Sequence, residues 1–394
     1  MYIFETEDSF QVPTYKKLPL ALLKGEGSYV WDQDGNRYLD FYGGHCVAIL
    51  GHCPPPVVKA IQKQAETMLF YSNLVYSDIR AEATEVLTSL APEGLKKAFF
   101  CNSGTEANET ALKLARKVTG KSGVVATIGG FHGRTLGSLA VTWGKKYHEG
   151  YEAVLPKTHF IPFGEADALQ NLLSENPDIA AFILEPIQSI AGVTQAEVEY
   201  YRKVRFLCKK YGVILIFDEV QTGVGRTGTF SISEAYGMQP DMITLAKSLG
   251  SGIPVGAVLV SETISKTIQI EDQGTTFGGG MVAMAAVSAT LKHIRDEKLM
   301  LNAPKIFRHL QSELTDYPVR LRGRGCLIGL EMDIPVGPMV AALRQNGVLT
   351  GGSAHPNVMR LMPPLNTQPA DIAVFAQAFH TAYASVSAPV SSLS

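Results

Sequence analysis

The chain has 394 residues with 35 basic and 37 acidic side chains, a formal charge of −2 that argues against a nucleic-acid surface or an acidic tail and suits small neutral or zwitterionic partners. Apolar residues make up 46% and charged residues 18%, enough to bury a sizeable core and too apolar for a disordered chain. The length exceeds what one compact core usually takes, so one large and one smaller domain are expected.

Residues 1–10 carry Glu5, Glu7 and Asp8 where a secretory signal would be basic and then apolar. No apolar run approaches the ~18 residues of a membrane span, so no membrane partner is expected. The five cysteines are scattered and form no CxxC pair, which reads as a reducing, cytoplasmic setting. Within 25–41, Asp34-Gly35 separates two alternating apolar segments, a hairpin signal that predicts a small N-terminal sheet. His45-Cys46 and His52-Cys53 bring imidazole and thiol together, but their offset followed by Pro54, Pro55 and Pro56 matches no usual zinc spacing; packing is expected there, and no metal.

Short continuous apolar runs at 98–101, 124–128, 180–184, 213–217, Met242–Leu245 and 257–260 predict strands buried on both faces, with helix-like stretches between them. This alternation predicts an α/β fold with a mainly parallel, doubly wound sheet, whose ligands collect at the carboxyl ends of its strands. After about residue 281 the pattern turns helical at 282–297 and 303–314, then short strands follow around 319–331 and 357–361. The expected division is a large domain over 51–284 and a smaller α+β domain built from 1–50 and 285–394. The Ser-rich end, 386–394, is expected to fray.

Four stretches carry candidate chemistry, each beside a predicted strand end. Ser103-Gly104-Thr105 opens a helix, and the free N–H groups of such a start suit a phosphate; the S-x-x-E spacing of Ser103 and Glu106 equally describes a capping box with no ligand. In Phe131-His132-Gly133-Arg134 an aromatic can lie on a flat heterocycle and an arginine can clamp a carboxylate, or both can be ordinary core and surface residues. Asp218 ends the most apolar run, where an unpaired carboxylate is costly; a protonated pyridine nitrogen would satisfy it, as would capping of the next loop. Lys247 follows Met242–Leu245 and precedes a glycine-rich stretch, where desolvation can turn its amine into a nucleophile, although a lone lysine more often lies at the surface. Gly223-Val224-Gly225-Arg226-Thr227-Gly228 has dinucleotide-loop spacing, but Glu234 lies too close to serve as the ribose acid about 20 residues on.

In series, SGTEANE, FHGRT, ILEPIQ, IFDEVQTGVGRTG, TLAKSLG and GTTFGG resemble the class III, ornithine-type aminotransferases of fold type I, particularly the N-acetylornithine and related ω-amino-acid enzymes, over about 25–360. The resemblance implies that pyridoxal 5'-phosphate binds in the large domain as a Schiff base on Lys247. Ser103, Gly104 and Thr105 would take its phosphate, Phe131 and Val220 the two ring faces, Gln221 the phenolic oxygen and Asp218 the ring nitrogen, with Lys247 and Asp218 catalytic. Thr276 resembles the threonine that reaches the phosphate of the neighbouring subunit, which implies a homodimer with shared sites. For substrates, Arg134 resembles the residue binding the α-carboxylate of acylated ornithine and Arg360 the one binding glutamate; Thr275 adds a contact and Glu185 supports the site. The implied reaction moves an amino group from an ω-amino acid, such as N-acetylornithine, to 2-oxoglutarate in two half-reactions. Alternatives are ornithine or 4-aminobutyrate as donor, an aminomutase of the glutamate-semialdehyde type, and a cofactor-binding regulator without turnover. Ile190 departs from the family, which usually has an acidic residue there that can neutralise the glutamate-binding arginine.

Overall fold

The computed structural model describes residues 3–387. Its centre is a seven-stranded sheet of β1 (Lys97–Cys101), β2 (Gly123–Thr127), β3 (Thr158–Ile161), β4 (Ile179–Leu184), β5 (Ile214–Asp218), β6 (Met242–Leu245) and β7 (Gly256–Val260), in the order β1-β7-β6-β5-β4-β2-β3. Strand β7 runs antiparallel to both of its neighbours, and the other pairs are parallel. The sheet is thus mainly parallel, as the continuous apolar runs predict. Edge strand β3 was not anticipated, because Thr158 and His159 interrupt its short apolar run.

Side chains alternate across these strands, so one apolar run supplies two cores. Phe182, Leu184, Leu215 and Phe217 join one cluster, while Ala181, Ile183 and Ile216 join the other on the opposite face. Helix α1 (Gly104–Thr119) covers the second face with Ala107, Ala111, Leu112 and Ala115 at helical spacing and stops at Gly120 in a left-handed cap. Helix α2 (Val198–Tyr211) covers the first face with Tyr201, Val204 and Leu207. Each fully buried side chain of this size contributes on the order of 1.5–3 kcal/mol.

The expected hairpin forms between Tyr29–Asp32 and Arg37–Asp40, with Asp32 accepting from the Asp34 and Asn36 amides inside the turn. Leu22–Glu26 and the distant Val348–Leu349 complete a four-stranded sheet. A three-stranded sheet of Val319–Arg324, Leu327–Met332 and Val358–Leu361 carries Arg360 opposite Gly329. Helices Met281–Asp296 and Ala303–Glu313 lie where the helical pattern predicts them. The short helix Ile3–Phe10 is an addition to the expected elements. The expected fraying from 386 is corrected at Val386 and Ser387, the last residues of helix Pro369–Ser387, whose Phe375, Phe379 and Ala382 are buried against the core; 388–394 lie outside the described residues.

Candidate active site

The carboxyl ends of β1, β2, β4, β5 and β6 open into one cavity of about 500 Å³, within the range of small-ligand sites. Its lining includes Ser103, Gly104, Thr105, Phe131, Arg134, Glu185, Asp218, Val220, Gln221 and Lys247. Residues drawn from five strand ends therefore converge on a single space.

Asp218 closes β5 and is almost wholly buried. Its Oδ2 accepts from His132 Nδ1 at 2.8 Å and from Asn108 Nδ2 at 2.8 Å, while among the described residues Oδ1 accepts only the Val220 amide at 3.1 Å. Asn108 is itself fixed by Thr244 Oγ1, which donates to its Oδ1 at 2.7 Å, and by its own donation to the His132 carbonyl at 2.7 Å. Among the described residues His132 Nε2 is buried with no hydrogen-bond partner, so placing the ring's proton on Nδ1 avoids an unsatisfied N–H on Nε2. His132 and Asn108 stand inside the motifs read from the sequence, yet their pairing with Asp218 was missed; nothing local marks which strand-end side chains meet.

Lys247 sits just past β6 with φ of +43°, a left-handed conformation that costs a non-glycine residue about 1–3 kcal/mol. Part of the residue stays exposed, yet burial is the largest influence on its amine and lowers the pKa; Cys46, Asp218 and Glu185 oppose that shift and Arg360 adds to it.

The start of α1 carries both features read from its sequence. Ser103 Oγ accepts the Glu106 amide at 3.3 Å and donates to Glu106 Oε1 at 3.0 Å, while Glu106 Oε2 takes the amide of Asn102, one residue before the donor of a standard capping box. Gly104 and Thr105 meanwhile line the cavity. A Cβ on Gly104 would stand 2.9 Å from Val220 Cγ2, so glycine lets the helix start approach the Val220 side. Thr105 Oγ1 shares hydrogens with Thr135 at 2.8 Å and with Ser138, and Gly133 (φ +135°) has no room for a Cβ beside that hydroxyl.

Phe131 is half-buried and meets Tyr147 edge-on at 5.6 Å, and Arg134 is exposed with its guanidinium 5.9 Å from the same Tyr147 ring. Glu185 accepts the Phe131 amide at 2.8 Å and the Ser189 amide at 3.3 Å; burial pushes its carboxyl up to about 7, with His132 opposing and Asp218 adding to the rise. Gln221 Oε1 accepts from Ser189 Oγ at 2.9 Å.

Arg360, Thr275 and Thr276 do not line the cavity. Arg360 is buried and linked to it through Ser189, donating to Ser189 Oγ at 3.2 Å, Tyr42 Oη at 3.1 Å and the Gly352 carbonyl at 2.7 Å. Thr275 Oγ1 accepts from Asn102 Nδ2 at 3.4 Å, and Thr276 is exposed. His45 bonds Tyr42, and burial with the charges of Arg360 and Lys247 lowers its pKa to about 4, so it is neutral near pH 7. His52 bonds Asp40 at 2.8 Å, Cys46 Sγ donates to the Gln221 carbonyl, and Cys53 is exposed.

The donor set suits pyridoxal phosphate: amides at a helix start for a phosphate, a buried carboxylate with one lightly used oxygen for a protonated ring nitrogen, and an amine of lowered pKa for a carbonyl.

The family model for class III aminotransferases matches residues 10–383. The chain is 42% identical to the acetylornithine aminotransferase of Methanopyrus kandleri over 83% of this chain and 85% of that one. It is 40% identical to the acetylornithine aminotransferase of Bacillus subtilis, with 91% and 94% covered. Among solved structures, the ornithine aminotransferase of Toxoplasma gondii superposes with a TM-score of 0.91 at 29% identity, covering 98% of this chain and 94% of that one. The acetylornithine aminotransferase of Elizabethkingia anophelis gives 0.85 at 31% identity, with 97% and 98% covered.

Proposed function

The chain belongs to the class III aminotransferases, which depend on pyridoxal phosphate, and we propose that it moves the ω-amino group of N-acetylornithine, or a similarly acylated diamine acid, to 2-oxoglutarate. The observation that carries the reading is the convergence of Lys247, Asp218 and the α1 start on one cavity, with Arg134 at its rim and Arg360 behind it.

Bound pyridoxal phosphate supplies a carbonyl that takes up the amino group and a conjugated ring that accepts the electron pair left when the substrate loses a proton. The Gly104 and Thr105 amides would hold the phosphate, helped by the positive end of α1. Phe131 and Val220 would flank the ring, and Gln221 would meet its phenolic oxygen. Asp218 would pair with the protonated ring nitrogen, and His132 and Asn108 keep Asp218 aimed by donating to its other oxygen. Lys247 Nζ would move the proton from the amine-bearing carbon, a task for the neutral amine, which burial favours. Arg134 clamps the α-carboxylate of the donor, and Arg360 takes a carboxylate of 2-oxoglutarate. Ile190 leaves Arg360 without the acidic partner usual in the family, and its three hydrogen bonds go to neutral groups, which favours a guanidinium always ready for a carboxylate.

A second copy of the chain covers the apolar face at 68–76 and Phe277, where Leu74 is 91% exposed, Tyr76 104% and Phe277 64%; exposure of this extent supports a homodimer. Thr276, exposed beside Phe277, then reaches the phosphate of the neighbouring subunit, and Thr275 steadies that loop through Asn102. Five free cysteines suit a reducing cytoplasm.

The test supplies N-acetylornithine with and without 2-oxoglutarate and measures glutamate. Glutamate formed only with both present is expected. Turnover of a donor without any 2-oxo acid, or no glutamate while another amine reacts, contradicts the assignment.

A further inference from the structure

Arg80 lies in helix Asp78–Leu90, away from the cavity, and all three of its side-chain hydrogen bonds go to backbone carbonyls. Nη1 donates to Val75 at 2.9 Å and Nη2 reaches Tyr71 at 3.5 Å, both in the apolar segment 68–76; Nε donates to Gly279 at 2.9 Å, on the loop that carries Thr276. Two more contacts join the same two segments, and a third reaches the first residue of the helix that follows the loop. Asn73 Nδ2 donates to the Gly278 carbonyl at 2.8 Å, the Phe70 and Phe277 rings stand 5.0 Å apart, and the Tyr71 amide points at Met281 Sδ at 3.0 Å.

At its other end the loop is tied to the end of β1, where Asn102 Nδ2 donates to Thr275 Oγ1 at 3.4 Å and Gly278 lies against the Phe100 carbonyl. Gly279 takes φ of +79°, a region that favours glycine, and the nearest atom to a Cβ built there is Arg80 Nε at 3.2 Å. Inside the loop, Thr275 Oγ1 accepts the Gly278 amide at 3.2 Å, and the Gly280 amide donates to the Phe277 carbonyl at 2.9 Å. A planar guanidinium can bridge three carbonyls on two segments, whereas an ammonium on a flexible stem is a point donor and cannot span them.

We propose that Arg80 is a positioning residue that fixes the 275–280 loop against segment 68–76, so that pressing a second copy onto that segment sets Thr276 at the neighbouring subunit's phosphate. This rests on the reading of Thr276 and of the dimer given above. Arg80 touches no cofactor and acts only through the loop.

The experiment measures cofactor release, by absorbance after dilution of the holoenzyme, together with sedimentation, for Thr276→Val, Arg80→Ala, the double variant and Asn73→Ala. All are expected to stay dimeric, with Thr276→Val and Arg80→Ala each releasing cofactor about tenfold faster, about 1.4 kcal/mol. The double variant should be no faster than Thr276→Val alone, because the two residues act in series. Arg80→Lys should resemble Arg80→Ala, and Asn73→Ala should fall between wild type and Arg80→Ala. Wild-type retention in Arg80→Ala beside a loss in Thr276→Val overturns the role of Arg80 and leaves the dimer reading standing. Wild-type retention in Thr276→Val overturns the reading beneath it. Additive effects, or a monomeric Arg80→Ala, also overturn the proposal. If Arg80→Ala does not fold, wild-type retention in Asn73→Ala does the same.

Discussion

Arg360 donates from Nη1 to Ser189 Oγ at 3.2 Å, so a buried guanidinium is held in place by a neutral hydroxyl and not by a carboxylate. A charged, desolvated donor with only neutral partners gains most when a ligand carboxylate arrives. Arg360→Gln should therefore lower kcat/KM for 2-oxoglutarate on the order of a hundredfold, about 3 kcal/mol, while the half-reaction with the donor changes less than about tenfold. Stopped-flow measurement of the two half-reactions separates them. Equal losses in both would mean that Arg360 serves Lys247 and not the acceptor.

Arg134 should behave in the opposite sense. It is exposed at the rim and stands over Tyr147, so Arg134→Ala removes the proposed carboxylate clamp without leaving a buried group unpaired. The KM for the acylated donor should rise about ten- to a hundredfold with the 2-oxoglutarate half-reaction nearly unchanged. An unchanged donor KM would place the donor carboxylate elsewhere.

The Asp218–His132 pair predicts a graded series. Asp218→Asn removes the charge and should lower kcat by roughly a thousandfold, about 4 kcal/mol. His132→Ala leaves the carboxylate with Asn108 and the Val220 amide, so a smaller loss of about tenfold is expected, and the double variant should match Asp218→Asn alone. Steady-state kinetics decides; multiplied losses in the double variant would show that His132 acts apart from Asp218.

Burial pushes the Glu219 carboxyl up to about 7 from its ordinary value of 4.5, against the pull of hydrogen bonds from Ser231, the Ile232 amide and Thr222. Because the folded value lies above the unfolded one, its contribution is complete below about pH 4.5 and is lost as pH rises towards 7. Wild type should lose about 2 kcal/mol relative to Glu219→Gln between pH 5 and 8 in urea titrations. A pH-independent difference would mean that Glu219 ionises normally inside the fold.

Much of this was legible in the sequence because the strands of an α/β sheet are continuous apolar runs, and the residue that ends each run faces the ligand crevice. Asp218 and Lys247 stand out for that reason. The hidden part lies in pairings across long stretches of chain: His132 and Asp218 are 86 residues apart, Ser189 and Arg360 are 171 apart, and Tyr42 and Arg360 are 318 apart. No local pattern encodes such a meeting. The left-handed backbone at Lys247 and the fork of Arg80 between two loops were hidden for the same reason, since tertiary contacts impose both.

The central claim is that Lys247 is the attachment point of the cofactor in a working transaminase. Reducing the freshly purified protein with borohydride and mapping its peptides by mass spectrometry tests this most directly. The account predicts one phosphopyridoxyl group, on the peptide containing Lys247, and none in Lys247→Ala. A label on another lysine, or a fully active Lys247→Ala protein, would contradict it.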